Sequence, residues 1–272
     1  MHLDQILQAT ILGIIQGFTE LLPISSSAHL ILLPWILDWE HLGIAFDVVL
    51  HGGTMLAILV FFHKEWKELA SIFLRRLRGL TRSSDGQVDL AILAGTLPAI
   101  CVALIFRSMV ENYARQPVVI VLTLTVFGLL LAWADRRGKG NRSPSTLGPK
   151  LGLLIGMAQA IALIPGVSRS GVTITAALLL GFSRTDSARF SFLLSGPIVA
   201  IATLKGIYEL ANTDAPGSVL GWSLIVGIAT SFVTGLLCIK YFLRFLRTKT
   251  LIPFVIYRLG LATAIVLLML MH

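Results

Sequence analysis

Pro165-Gly166-Val167-Ser168-Arg169-Ser170 breaks an apolar run that begins near residue 150 and resumes to about residue 182. Pro23-Ile24-Ser25-Ser26-Ser27 does the same to a run that begins near residue 5 and resumes to about residue 37. The arm after each break has only about 11–13 residues, whereas a membrane crossing needs roughly 20 apolar ones. Stretches that short read as re-entrant. Polar, non-helical backbone is tolerated at membrane depth only where it is buried in protein or faces a water-filled cavity.

The two breaks resemble each other. Gly13-x-x-Gln16 precedes Ser25-x-Ser27, and Gly156-x-x-Gln159 precedes Ser168-x-Ser170 at the same spacing, with the proline displaced by one. Further on, Phe46 to Gly52 matches Phe190 to Gly196, and Ala57 falls near Ala200. This self-similarity indicates an internal duplication: repeat one over 1–135, repeat two over 150–272. The Gly-, Ser-, Pro- and Lys-rich stretch 136–149 is the linker.

Between and after the breaks lie six uninterrupted apolar spans, at about 43–62, 89–106, 117–134, 188–207, 220–239 and 251–271. Composition agrees with a membrane protein. The 272 residues are 56% hydrophobic and 13% charged, against roughly 25% charged in soluble domains, and mean hydropathy is +0.85. That excludes a soluble globule, and it excludes disorder, which needs low hydrophobicity. A net charge of +8 could suit a nucleic-acid binder, but the surface would be mostly apolar, so no nucleic acid is expected. Cys101 and Cys238 sit in apolar stretches and are expected to be small buried hydrophobes. No Lys or Arg precedes the first apolar run, so no removable signal peptide is expected.

The basic residues give topology. Loops 63–88, 135–150, 183–189 and 240–250 hold six, five, two and four Lys+Arg, whereas 107–116 and 208–219 hold two and none. By the positive-inside rule the first set is cytoplasmic and both termini are outside. Each repeat has three spans, an odd number, so the repeats are inverted relative to each other. Their broken hairpins would enter from opposite faces and meet near the midplane. The expected fold is therefore an all-α polytopic membrane protein: an inverted-topology repeat of six transmembrane helices plus two re-entrant helical hairpins. Segment 63–80 is amphipathic and basic, as expected for an interfacial helix on the anionic inner leaflet.

Charges within apolar segments are costly and mark function by default. Glu20 precedes the first break; it could be a reacting carboxylate or the partner of a structural cation. Arg169 lies in the second, between Ser168 and Ser170 with Thr173 one turn on. A planar five-donor guanidinium beside hydroxyls and helix N-terminal amides suits phosphate oxygens, although pairing with Glu20 for structure alone would also explain it. Ser25, Ser26 and Ser27 offer a nucleophile or phosphate donors, and His29 can relay a proton near neutral pH. Gln16 lies one helical turn before Glu20, so both side chains can face one cavity. Asp47 and His51, at i and i+4, either orient the site from behind or form a helix-stabilising pair. Lys205, near a span end, is expected to snorkel. For the deeper Arg258, structural pairing and a substrate role fit equally. No Gly-rich nucleotide loop, HExxH zinc motif or GxSxG elbow is present.

These residues resemble the undecaprenyl-diphosphatase family, also called the bacitracin-resistance family, over essentially the whole chain. Gln16-Gly17-Phe18-Thr19-Glu20 is similar to its (Glu/Gln)-x-x-x-Glu motif, and Pro23-Ile24-Ser25-Ser26-Ser27-Ala28-His29 to its serine–histidine segment. Pro165-Gly166-Val167-Ser168-Arg169-Ser170-Gly171-Val172-Thr173 is similar to its Pro-Gly-x-Ser-Arg-Ser-x-x-Thr motif, and Phe46 to His51 also looks familial. Position 16 is Gln where many members have Glu, which leaves Glu20 as the main carboxylate and as the metal ligand. The resemblance implies a hydrolase of the bacterial cell inner membrane that converts undecaprenyl diphosphate to undecaprenyl phosphate and inorganic phosphate. That reaction recycles the lipid carrier for cell-wall synthesis and underlies bacitracin resistance. It also implies help from a divalent cation, Mg²⁺ or Ca²⁺, and a site opening toward the outer face.

On this reading Glu20, Ser26, His29 and Arg169 are catalytic. Gln16, Ser25, Ser27, Ser168, Ser170 and Thr173 bind substrate, with Asp47 and His51 behind them. Two mechanisms stand open: Ser26 as nucleophile with Glu20 or His29 taking its proton, or Glu20 activating water with the serines only binding. The partners expected are a polyprenyl diphosphate lipid and the bilayer, and a homodimer is an assembly open to such a fold. The rival function is a polyprenyl-phosphate flippase, since inverted repeats with broken helices are also a transporter signature.

Overall fold

The computed structural model describes residues 2–39, 42–82, 85–113, 116–138, 140–212 and 217–271. Arg115 and Lys139, counted above among the loop charges, lie outside the described residues, as do the side chains of Arg107, His2 and His272. The described residues form α-helices and one short 3-10 turn, with no strand. Six helices are long and apolar enough to cross a membrane: α3 (Ile44–Phe61), α5 (Val88–Tyr113), α6 (Pro117–Arg137), α9 (Arg184–Ala211), α10 (Gly217–Leu246) and α11 (Ile252–Met271). They match the six expected spans. Their outward faces are apolar: Leu104, Ile256 and Leu122 are 80%, 65% and 59% exposed. A multi-pass membrane protein shows that pattern because lipid, not water, covers the outside. The same reasoning corrects one expectation: Cys101 is exposed and only Cys238 is buried. An apolar stretch in a membrane helix has a lipid face as well as a core face, and Cys101 is on the lipid face.

Both interrupted runs are helical hairpins. The first pairs α1 (His2–Thr19) with α2 (Ser26–Ile36), and the second pairs α7 (Pro149–Ile161) with α8 (Arg169–Leu179). At about 1.5 Å per residue, the 11 residues of α2 and α8 and the 13 of α7 fall short of a hydrocarbon core of about 30 Å. The amphipathic helix α4 (His63–Leu77) follows α3 and has basic residues, Arg75 and Arg76, in its last turn.

Small residues bring the repeats together. The first hairpin's α1 packs along α10 of repeat two, and the second hairpin's α7 packs along α5 of repeat one. At Gly13 and Gly17 an added Cβ would strike Thr230 and Thr234 of α10; at Gly152 and Gly156 it would strike the backbone of Ala91 and Gly95 of α5. Lipid tails are as apolar as leucine, so close backbone approach rather than the hydrophobic effect holds such helices together.

The ends of α4, α5, α6 and α9 are tied by ion pairs: Arg75–Asp85 at 2.7 Å, Arg76–Asp89 at 3.0 Å, Arg189–Glu65 at 2.5 Å, and Arg184–Asp135. Hydrogen bonding from Arg75 holds the Asp85 carboxyl below the usual aspartate value. Asp135 also accepts the Leu251 backbone N–H at 3.0 Å, joining the start of α11 to the end of α6.

Gly156→Val should destabilise the fold by about 1–3 kcal/mol, the usual range for overpacking. Thermal unfolding in detergent measures it, with Gly221→Ala, where an added Cβ meets nothing within 4 Å, as a control that loses no stability.

Candidate active site

The two hairpin tips meet. Each tip ends on a serine with positive φ, Ser25 at 74° and Ser168 at 70°, immediately before the first residue of α2 and α8. Non-glycine residues in that region cost of order 1–3 kcal/mol and persist only where the surroundings hold them. The hydroxyls repeat the match: Ser25 Oγ lies 3.2 Å from Ser27 Oγ, and Ser168 Oγ 3.3 Å from Ser170 Oγ. The first helical residues are then Ser26 in one copy and Arg169 in the other. Two helix N-termini, each the positive end of a dipole, therefore open at one place; Ser168 Oγ caps the Gly171 amide of α8. Such ends favour anions.

Glu20 lies where the tips touch. Its Oε1 accepts from Arg169 Nη2 at 2.8 Å. Its Oε2 accepts from Ser26 Oγ at 2.5 Å and Gln16 Nε2 at 3.1 Å, and His51 Nε2 stands 3.2 Å away. His51 Nδ1 is 2.8 Å from the Asp47 backbone carbonyl, which can only accept. Both ring nitrogens therefore lie against oxygen atoms. The carboxylate is buried, and Arg169, His51, Ser26 and Gln16 surround it, the kind of pairing that a buried charge requires.

Arg169 gives only one of its nitrogens to Glu20. Its Nε and Nη1 are buried and have no partner among the described residues. A cavity of about 210 Å³ opens beside them, lined by Glu20, Ser25, Ser26, Ser27, His51, Ser168 and Arg169 among others. Buried donors without acceptors are rare in native proteins. Here they belong to a guanidinium beside a cavity, where an oxyanion can complete them.

The remaining expected residues are placed differently. His29 turns away from Ser26: its Nδ1 is 2.7 Å from the Ser25 carbonyl, and its Nε2 is 2.7 Å from Tyr257 Oη, with the two rings stacked. Ser170 donates to the Leu22 carbonyl at 2.9 Å, and Thr173 Oγ1 sits between the Arg169 carbonyl and Ser191 Oγ. Ser170 thereby ties the second tip to the first, and Thr173 ties α8 to α9. Gln16 backs Glu20, and its Oε1 is buried without a partner among the described residues. Residues 9–264 match the family described as Bacitracin resistance protein BacA.

The chain belongs to the BacA family. It is similar to Undecaprenyl-diphosphatase 1 of Pseudoalteromonas translucida, 43% identical over 262 residues that cover 96% of this chain and 97% of the relative. It is similar to Undecaprenyl-diphosphatase of Geotalea daltonii, 48% identical over 256 residues covering 93% and 94%. Undecaprenyl-diphosphatase of Geobacter sulfurreducens is 48% identical over 255 residues, with the same coverage.

In this BacA-family chain, sequence reasoning left two residues undecided that the structure places. His51 touches the carboxylate directly; its i, i+4 spacing from Asp47 hid that, because the bond to Asp47 runs through the backbone. Arg258 is fully buried and binds no carboxylate among the described residues. It donates to the carbonyls of Pro23 (3.3 Å), Val167 (3.1 Å), Gly166 (2.8 Å), Thr123 (3.1 Å) and Leu124 (3.1 Å). It thus staples both tips to α6. No pattern around Tyr257-Arg258 could have shown this, since all the partners are distant backbone atoms.

Arg258→Met, which fills the volume but donates nothing, should cost about 3 kcal/mol or more, since each orphaned buried carbonyl costs about 1–3 kcal/mol. Melting in detergent should show the loss, with Arg258→Lys recovering only part of it.

Proposed function

We propose that this protein hydrolyses undecaprenyl diphosphate to undecaprenyl phosphate and inorganic phosphate. The observation that carries the reading is Arg169, which lines the cavity that also holds Ser26 and Glu20 and keeps two buried donors without a partner among the described residues. The BacA family and the names of the relatives agree with it. The cytoplasmic placement of the basic loops, with both termini outside, rests on the charge count alone.

Ser26 is the nucleophile on this reading. Its Oγ–H already points at Glu20 Oε2, the arrangement of a hydroxyl beside its general base. Glu20 takes the Ser26 proton as Oγ bonds to the terminal phosphorus. The bond from that phosphorus to the bridging oxygen breaks, and Glu20 passes the proton to the departing undecaprenyl phosphate. Water then attacks the phosphoserine, its proton moves through Glu20 to Ser26 Oγ, and inorganic phosphate leaves. Arg169, Ser168 and the amides opening α2 and α8 stabilise the charge on the transferring group; such preorganised donors are the main resource for phosphoryl transfer. His51, 3.2 Å from Glu20 Oε2, holds the carboxylate in orientation between steps. His29, paired with Tyr257, fixes the first turn of α2.

Among the described residues no three His, Cys, Asp or Glu side chains gather into a metal cage. Of the nearby oxygen donors, Glu20 lines the cavity, whereas Gln16 is fully buried behind it. Glu20 is the residue that would hold a Mg²⁺ or Ca²⁺ ion, since hard cations are commonly held through one or two carboxylates. When bound, such an ion supplies neutralisation of phosphate charge.

Purified protein in detergent, where no gradient exists, should release phosphate from a C55 diphosphate; no release, with lipid-dependent transport in vesicles, would favour a flippase instead. Arg169→Ala and Glu20→Gln should each lose about 10²-fold or more in turnover, the usual effect of removing a transition-state donor or an acid–base group. Labelled phosphate should be trapped on Ser26 and lost in Ser26→Ala. Near-normal turnover by folded Ser26→Ala would move the nucleophile to water.

A further inference from the structure

The cavity at Ser26 does not end there. Ser27, His51, Ala162, Leu163 and Ala202 line it and also line a second chamber of about 360 Å³. The two chambers therefore share a neck. Beyond it the wall is largely apolar, from Leu30 and Ile31 of α2 and Ile44 and Val48 of α3. Four charged or titratable groups interrupt that wall: His51, Asp47, Lys205 and Glu209.

Lys205 stands out among them. Snorkelling toward a span end accounts for its long stem, but Lys205 also lines this chamber. Its partner is Glu209 on the next turn of α9, at 3.8 Å, which is longer than a hydrogen bond, and its side chain is 48% exposed. Its donors are thus open to an incoming acceptor. Asp47 and Glu209 face the same space, so an anion there meets two carboxylates as well as Lys205 and His51. A chamber with balanced charge holds an anion only weakly. Conduction through a passage needs just that: binding favourable enough to admit a group and weak enough to release it.

We propose that this second chamber is a transit subsite for a phosphate group moving between the surface and Ser26, with Lys205 as its cationic contact. It rests on the phosphatase reading above. The phosphate is either the headgroup of the arriving lipid or the inorganic phosphate that leaves.

Steady-state kinetics of wild type, Lys205→Ala and Lys205→Arg separate the two sources. If the headgroup passes Lys205, Lys205→Ala should raise KM for the C55 diphosphate by about five- to tenfold with kcat nearly unchanged. The salt dependence of kcat/KM should weaken too, as when a rim charge that guides association is removed. If the product passes it, Lys205→Ala should weaken inhibition by added inorganic phosphate by a similar factor. Lys205→Arg should restore either effect. A readout independent of turnover uses Ala202→Cys at the neck, in a Cys101→Ala background. A water-soluble, negatively charged thiol reagent should modify it, and inorganic phosphate should slow the modification in the presence of Lys205 but not in Lys205→Ala. Unchanged KM and unchanged phosphate inhibition in Lys205→Ala, or an Ala202→Cys that does not react, would overturn the proposal. A wild type that releases no phosphate would instead sink the phosphatase reading, and the thiol experiment would still decide the chamber.

Discussion

Every backbone carbonyl freed inside a bilayer must find a donor, because no water is there to serve it. This fold breaks two helices at depth, and a single side chain answers most of the resulting demand. Arg258 brings five donated hydrogen bonds to carbonyls from the first tip, the second tip and α6. Thr123 and Ser170 complete the set by donating to the Pro165 and Leu22 carbonyls. Carbonyl dipoles in turn solvate the buried guanidinium. Without that mutual satisfaction the tips could not be held in the φ region that Ser25 and Ser168 occupy, and the two helix N-termini would not open on one cavity.

The duplication supplies a frame, and the chemistry comes from where the copies differ. Ser25 and Ser168, Ser27 and Ser170, and Gln16 and Gln159 correspond across the repeats. Ser26 and Arg169 occupy equivalent positions but bring different chemistry: one is a hydroxyl on a carboxylate, the other a cation with spare donors. Glu20 has Leu163 in the corresponding place. Two similar tips thus bring different groups to one junction, Ser26 and Glu20 from one hairpin and Arg169 from the other.

Much of this was legible in the chain. The six spans, the two breaks and the hairpin pairing followed from run length, proline and serine, because a helix must be about 20 apolar residues long to cross. The proximity of Glu20 and Arg169 was readable as well, since two opposite charges in apolar runs are costly apart. His29 was harder. Its sequence neighbours place it within a turn of Ser26, yet the ring points to Tyr257, 228 residues away. Helical spacing fixes a side chain's angle about its own axis but not which neighbour fills the space outside. Cys101 failed for the related reason that apolar periodicity in a membrane helix does not distinguish lipid from core.

The sequence by itself determined that this is a polytopic helical membrane protein with two interrupted, duplicated hairpins and a small set of buried polar residues. Hydrophobic length and the cost of intramembrane charge are local properties, and they are written in the residues. Only the tertiary structure decided which of those residues meet. The contact of His51 with Glu20, the free donors of Arg169 and the stapling by Arg258 depend on distances between segments far apart in the chain. Those distances are set by how closely glycine-lined helices pack, a property of the assembled repeats rather than of any one stretch.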